Sequence, residues 1–533
     1  MDSPILTLIT FVPLLGSLIV LLMPKDKERL IKQFSIAVSF IPLILSILLW
    51  VNLEKGGGIQ FEEQVAWIPA IHVNYHVGAD GLSVPLIFLT ALLTTLSLFY
   101  SSFTIKNRVK EFFFLFLLLE MGMFGVFVSL DFVLFYVFWE IGLVPMYFLI
   151  GVWGGPRREY AAIKFFIYTL VGSVAMLLAI IGIYLNTGTF DIIQAAALRP
   201  FAENLTLGAL AFWAIFLAFA IKVPMFPFHT WLPDAHTAAP TAGSVILAGI
   251  LLKMGTYGFV RVILPILPQQ CEQFGWIIGL LAMISIIYGA LVAMAQPDFK
   301  RLIAYSSVNH MGYVMLGVAA ACVVAAQRVK PVGATMALNG AILQMIAHGI
   351  ITGSLFLLVG VLYERTHTRR IDDFGGLLKQ IPGYGGFLML ACFASLGLPA
   401  LAGFMAEFHI FAGSFSVGAL YTQGPEQLAA ILGNPRLVGY EWLQFSLYFL
   451  FLMTCLSVIG VIITAAYLLW VIQRVLLGPL KEQWAQLPDM TPLEWISLAP
   501  LGVLMVLLGI YPAPVLNVIN AMVHQTLADM GRF

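Results

Sequence analysis

Residues 218–260, AFAIKVPMFPFHTWLPDAHTAAPTAGSVILAGILLKMGTYGFV, set two lysines, Lys222 and Lys253, inside apolar sequence. Lys253 has about 10 residues of apolar span on either side, roughly 15 Å of helix rise, and a lysine stem cannot reach water over that distance. Charge at the bilayer centre costs about 2.5–3.5 kcal/mol per residue on insertion scales, so a lysine held there is a functional candidate. Lys222 lies just before Pro224 and Pro227. Proline removes a backbone donor and frees a carbonyl one turn back. Irregular backbone at membrane depth is tolerated only against protein or a water-filled cavity. A lysine beside a broken helix therefore marks a hydrated site within a membrane.

The rest of the chain agrees. Of 533 residues, 61% are hydrophobic and 10% charged, with 27 Lys+Arg against 27 Asp+Glu. Soluble chains carry about 25% charged residues, so this is a polytopic, all-α membrane protein. A formal net charge of +0 removes the case for a nucleic-acid partner. Four cysteines, Cys271, Cys322, Cys392 and Cys455, stand far apart in sequence and offer neither a disulfide framework nor a metal pattern.

About fourteen spans of roughly 20 apolar residues are found. They lie near 4–23, 30–50, 82–103, 112–130, 132–150, 163–185, 208–230, 241–263, 274–295, 302–322, 334–362, 386–415, 444–470 and 493–513. The first opens on Asp2 without a basic segment and does not read as a cleaved signal. Basic residues test this topology, because they collect in loops on one side. On it, 18 of the 27 Lys and Arg fall on one face and 7 on the other, the latter including Lys55, Arg261, Arg436 and Arg532, while Lys222 and Lys253 are within spans. Both termini are expected on the face poor in basic residues.

Four more ionisable residues sit deep in spans: Glu140 in span 5, His310 in span 10, His348 in span 11 and Glu407 in span 12. Each histidine has two readings, a hydrogen-bonded core group or a proton carrier titrating near pH 6.5. Glu120, His229 and His409 are weaker candidates, and Asp234 and His236 are expected in the connection after the broken span 7. Spans 7 and 12 are the interrupted ones, five apart. Five-helix units with odd helix number must be inverted relative to each other. This divides the chain into 1–111, a first repeat 112–263, a second 264–470, and 471–533, with Leu130-Asp131-Phe132 and Pro297-Asp298-Phe299 in matching places.

A row running Glu140, Lys222, Lys253, His310 or His348, then Glu407 suits proton transfer. An acid beside a lysine stabilises the charged form of both while desolvation opposes it, so small changes tip the balance. Ser244, Thr256, Ser306 and Ser307 could add hydroxyls to such a wire. GGGIQ at 56–60 and GYGG at 383–386 are glycine-rich loops lacking the strand–helix context of a phosphate site, and no catalytic fingerprint is present.

The strings FWEIGLVPMYFLIG, KVPMFPFHTWLPDAHTAAPTAGSVILAGILLK, RLIAYSSVNHMGYV and QMIAHGIITGSLFLLVGVLYERTHTR resemble the antiporter-like proton-pumping subunits of respiratory complex I, and equally the membrane subunits of multi-subunit cation/proton antiporters. Within that family the chain is most similar to chain 4 of the NAD(P)H–quinone oxidoreductase of cyanobacteria and plastids; its ending, without a long lateral helix, supports chain 4 over chain 5. The resemblance implies fourteen helices, two inverted five-helix repeats and broken helices 7 and 12. It implies that Glu140 pairs with Lys222, that Lys253 is the central relay, that His310 and His348 lead on, and that Glu407 is the terminal acid. It further implies a thylakoid location with lumenal termini, neighbouring antiporter-like subunits and lipids as partners, and no cofactor in this chain. NAD(P)H or ferredoxin, iron–sulfur clusters and plastoquinone would act elsewhere in the complex.

Overall fold

The computed structural model describes residues 4–54, 56, 58–434 and 439–531, so Lys55, Arg436 and Arg532 of the charge tally lie outside the described residues, as does Asp2. Among the described residues, 13 helices are long and apolar enough to cross a membrane. The fourteenth span is span 12, which is split into Pro382–Ser395 and Ala402–Gly418 around an irregular turn. Span 7 is split likewise, into Leu205–Lys222 and Trp231–Ala238. Both interruptions fall at the prolines that mark them in the sequence.

Spans 8 (Thr241–Ile266), 10 (Phe299–Val323) and 11 (Val332–Thr366) are enclosed by the others, whereas spans 1 (Ile5–Leu22), 2 (Glu28–Val51), 6 (Arg158–Thr187) and 13 (Tyr440–Leu476) turn long apolar faces outward. This inversion of a soluble protein's pattern follows from the solvent: in lipid, apolar side chains are at home outside, and polar groups must be satisfied within the bundle.

The openings of spans 5 and 10 reveal the internal repetition. Asp131 accepts from the amides of Val133 and Leu134, capping span 5 (Phe132–Trp153), and Asp298 accepts from the amide of Arg301, capping span 10. Each cap is laced to the chain that follows the next span. Phe132 N donates to Phe190 O at 2.8 Å and Ile192 N to Leu130 O at 2.8 Å; Phe299 N donates to Arg369 O at 2.8 Å and Ile371 N to Pro297 O at 2.9 Å. The first lacing lies on the face of the termini and the second on the basic face, as inversion requires.

Several expectations change. GYGG is not a loop: Pro382 at the first helical position starts span 12 there, and the Asp489 carboxylate accepts from the amides of Gly383 and Tyr384 at 2.7 and 3.0 Å. Asp234 and His236 lie inside the second half of span 7, not in a connection, because Pro233 falls in its first turn where a missing N–H costs nothing. Arg261 is not a loop residue; it is buried within span 8. Cys271 and Cys322, distant in sequence, are side-by-side free thiols.

Between spans 2 and 3 (Ser83–Thr104) the chain forms an unforeseen antiparallel hairpin of β1 (Gln60–Ile68) and β2 (Val73–Ala79). Its anchor is His76, which meets Asp191 through Nδ1 and Glu62 through Nε2, both at 2.7 Å. Burial opposes the imidazolium, but the two carboxylates overcome it and raise the His76 pKa above 6.5. Burial also works against the Asp191 carboxylate, and the hydrogen bond to His76 reverses this, lowering its pKa below 3.8. The raised His76 contributes stability that is complete below pH 6.5 and lost as pH rises through its folded pKa. The lowered Asp191 contributes stability present above 3.8 and lost as pH falls further. Hydrogen exchange of residues 60–79 is therefore expected to be slowest, relative to His76→Gln, between these limits. A constant ratio across pH would remove the clasp.

Candidate functional site

Span 8 is built to hold Lys253. The segment Leu247–Leu251 is a π-turn, Leu252–Gly258 is α-helical, and Phe259–Ile263 is a second π-turn. Wider π-turns pull carbonyls off the regular ladder and recur at functional sites. The Lys253 ammonium donates to one of these, Ala248 O, and meets His348 Nδ1 at 2.7 Å. Lys253 is 0% exposed.

From Lys253 the row continues without a gap larger than a ring contact. The rings of His348 and His310 lie 5.7 Å apart. His310 Nδ1 is 3.6 Å from Glu407 Oε1, and Ser395 Oγ and Gln344 Nε2 hold the same ring at 3.1 and 3.4 Å. Four helices thus contribute to one line, in the order span 8, span 11, span 10, span 12. The order of the two histidines, left open by the sequence, is His348 then His310.

The break in span 12 places Glu407. Gly397, with φ +79°, packs against this carboxylate so closely that an added Cβ would stand 2.7 Å from Oε2. Only glycine combines that backbone with that approach.

At the other end, Lys222 is 2% exposed and its Nζ lies 5.0 Å above the Trp139 ring, which is fixed by its own hydrogen bond to Ser173 Oγ at 3.1 Å. Glu140 is the carboxylate that acts on Lys222 electrostatically. The two do not close a direct ion pair; Glu140 Oε1 is buried with no hydrogen-bond partner, where helical order lapses at Gly142. No side-chain hydrogen bond links Lys222 to Lys253 either, so the predicted row falls into two groups, Glu140–Lys222 and Lys253–His348–His310–Glu407.

The suggested hydroxyls do not bridge them. Ser244 donates to His236 O, Thr256 to Lys253 O, and Ser306 and Ser307 to Ile303 O. Helix-bound hydroxyls commonly find such carbonyls. What the sequence reading missed is His236: fully buried, stacked on Phe356 at 4.6 Å, both ring nitrogens unpartnered, and within electrostatic reach of Lys253 and Lys300. Lys300, assigned to a loop, is buried in the first turn of span 10 and donates to Ala239 O. A cavity of about 320 Å³ bordered by Lys300, Glu364 and Arg369 opens there on the basic face. Its signal in the sequence was the D-A-H triplet between two prolines. Among the described residues the Glu120 carboxylate and the His229 ring nitrogens are buried without a hydrogen-bond partner, and His409 Nδ1 donates to Met405 O, so none of them joins the row.

The arrangement suits proton transfer: an ammonium 2.7 Å from an imidazole, a second imidazole whose ring centroid lies 5.7 Å from the first, and a carboxylate 3.6 Å from that second ring, all within the bundle. Residues 129–424 match the family model described as "NADH:quinone oxidoreductase/Mrp antiporter, TM". The chain is 40% identical to NADH-quinone oxidoreductase subunit M of Rhodobacter capsulatus over 99% of this chain and 98% of that one. It is 37% identical to NADH-ubiquinone oxidoreductase chain 4 of Chondrus crispus over 97% and 96%. A chain of the respiratory complex I from Thermus thermophilus superposes with a TM-score of 0.80 at 29% identity, covering 98% of this chain and 99% of that one.

Proposed function

Because the chain belongs to the NADH:quinone oxidoreductase/Mrp antiporter membrane family, we propose that it is the antiporter-like, proton-translocating subunit of an NADH–quinone oxidoreductase, assembled with the other membrane subunits of that complex. Protons pass along Glu140, Lys222, Lys253, His348, His310 and Glu407, and electrons pass through other subunits. The observation that carries this reading is the line from Lys253 to Glu407 at membrane depth, where isolated charge is expensive. Full-length similarity to subunit M and chain 4 supports the redox complex over a free-standing cation/proton antiporter.

The relatives named above are NADH–quinone and NADH–ubiquinone enzymes, and they favour NADH as donor and a respiratory membrane. Plastoquinone, ferredoxin and a thylakoid location, expected from the sequence resemblance, draw no support from them. Mass spectrometry of the native-gel band that contains this chain tests the assembly: iron–sulfur and quinone-module subunits are expected beside it. A band holding only small membrane proteins would make the chain part of an ion-gradient-driven antiporter.

For Glu407→Gln we expect a partial defect. The amide keeps the shape against Gly397 but cannot take the proton from His310, so the proton-to-electron ratio in inverted vesicles should fall while NADH oxidation continues. An unchanged ratio would deprive Glu407 of its terminal role.

A further inference from the structure

The far end of span 8 holds a buried ion pair that the relay does not use. Arg261 lies two turns beyond Lys253, about 12 Å along the axis. Its Nη2 donates to Asp80 Oδ1 at 2.6 Å and to Ser83 Oγ at 3.4 Å, and its Nε donates to the Tyr257 hydroxyl at 3.2 Å. Asp80 and Arg261 are 2% and 8% exposed. Asp80 Oδ1 also accepts from the amides of Leu82 and Ser83 at 3.0 and 3.1 Å. On the outer side, a cavity of about 390 Å³ bordered by Ile59, Ile192 and Gln525 descends from the face of the termini and ends on Asp80 and Arg261. On the inner side is the turn bearing Tyr257 and Lys253.

Water-filled access from that face would thus come within two helical turns of the central lysine, and the groups in between are unsuited to carry a proton. A guanidinium does not give up its proton in proteins. Its permanent charge also occupies Asp80, the carboxylate on which an incoming hydronium would otherwise find a counter-charge. The Tyr257 hydroxyl spends its proton on Phe127 O at 3.1 Å and receives the Arg261 Nε–H, so it has no proton to pass inward. Asp80, the one carboxylate of the pair, is held by the guanidinium and two amides. The π-turn Phe259–Ile263 aims Arg261 at span 3 instead of at the membrane surface.

We propose that the Arg261–Asp80 pair is an electrostatic seal: it keeps the cavity on the face of the termini from exchanging protons with Lys253, so that the relay discharges through Glu407. The proposal rests on the relay reading above.

The test is passive proton flux into proteoliposomes containing the whole complex, under an imposed pH gradient and without NADH. Arg261→Met is expected to raise the flux several-fold over the unmodified complex, and adding Lys253→Ala to it should return the flux to the starting level, because the leak runs through the lysine. Arg261→Gln, whose amide can still donate to Asp80 but carries no charge, is expected to leak in the same direction and serves if Arg261→Met does not assemble. Unchanged flux in an assembled Arg261→Met or Arg261→Gln complex overturns the seal. A leak that persists in the double variant overturns it too, since loosened packing would then suffice. Failure of the relay itself is read separately, as normal NADH-driven pumping in Lys253→Ala alone.

Discussion

Lys253→Ala is expected to abolish NADH-driven proton uptake by inverted vesicles while leaving the complex assembled. Among the described residues the Lys253 ammonium is the sole hydrogen-bond partner of His348 Nδ1, at 2.7 Å, and its removal leaves that ring with no proton donor on the side of span 8. Proton transfer needs heavy atoms within about 2.6–3.2 Å or one intervening water, and a positioned acid–base group is worth about 10²–10⁴-fold in rate. A loss of at least about 10²-fold in relay-dependent transfer is therefore expected. Lys253→Arg sharpens the test. Arginine preserves positive charge and length but cannot release its proton near neutral pH, so it should fail as alanine does. A scaffold that merely needs a cation there would tolerate arginine, and vigorous pumping by that variant would rule out the relay.

The second large effect is expected from Glu140→Gln, an isosteric change that removes only the acid. Lys222 is buried, and the carboxylate that acts on it is Glu140. The face of Trp139 also lies at its ammonium, but its attraction for a cation, about 2 kcal/mol when desolvated, does not replace a counter-ion in a buried site. With glutamine at 140, Lys222 loses the charge whose strength sets its protonation, and the first group of the row no longer switches. We expect the proton-to-electron ratio to drop about as far as in Lys253→Ala, with partial recovery in Glu140→Asp, which keeps the charge on a shorter stem. Equal pumping by Glu140→Gln and the unmodified complex would show that the two groups of the row are not coupled.

Much of this site was legible because membranes make charge conspicuous. Glu140, Lys222, Lys253 and Glu407 stand out in any reading that asks which ionisable groups lie too deep to reach water. Other features were hidden because they depend on neighbours remote in sequence. Which histidine touches Lys253 is a matter of how spans 8, 10 and 11 pack. His236 looked like part of a loop because Pro233 and Pro240 frame it, and its burial follows from the short helix folding back against Phe356. Ser244, Thr256, Ser306 and Ser307 had the chemistry of a wire, yet each is turned to a backbone carbonyl by its own helix. The hairpin at 60–79 left no apolar run to find, being held by the His76 ion contacts and its own ladder.

By itself, then, the sequence determined the solvent, the number of crossings, the two broken helices and the depth of the charged residues. These are one-dimensional consequences of transfer free energy and of proline's missing donor. Tertiary structure alone decided the order Lys253–His348–His310–Glu407, the separation of Glu140–Lys222 from the rest, and the inward turn of Arg261 onto Asp80. Those depend on side-chain contacts of a few ångströms between helices far apart in the chain, which hydropathy cannot encode.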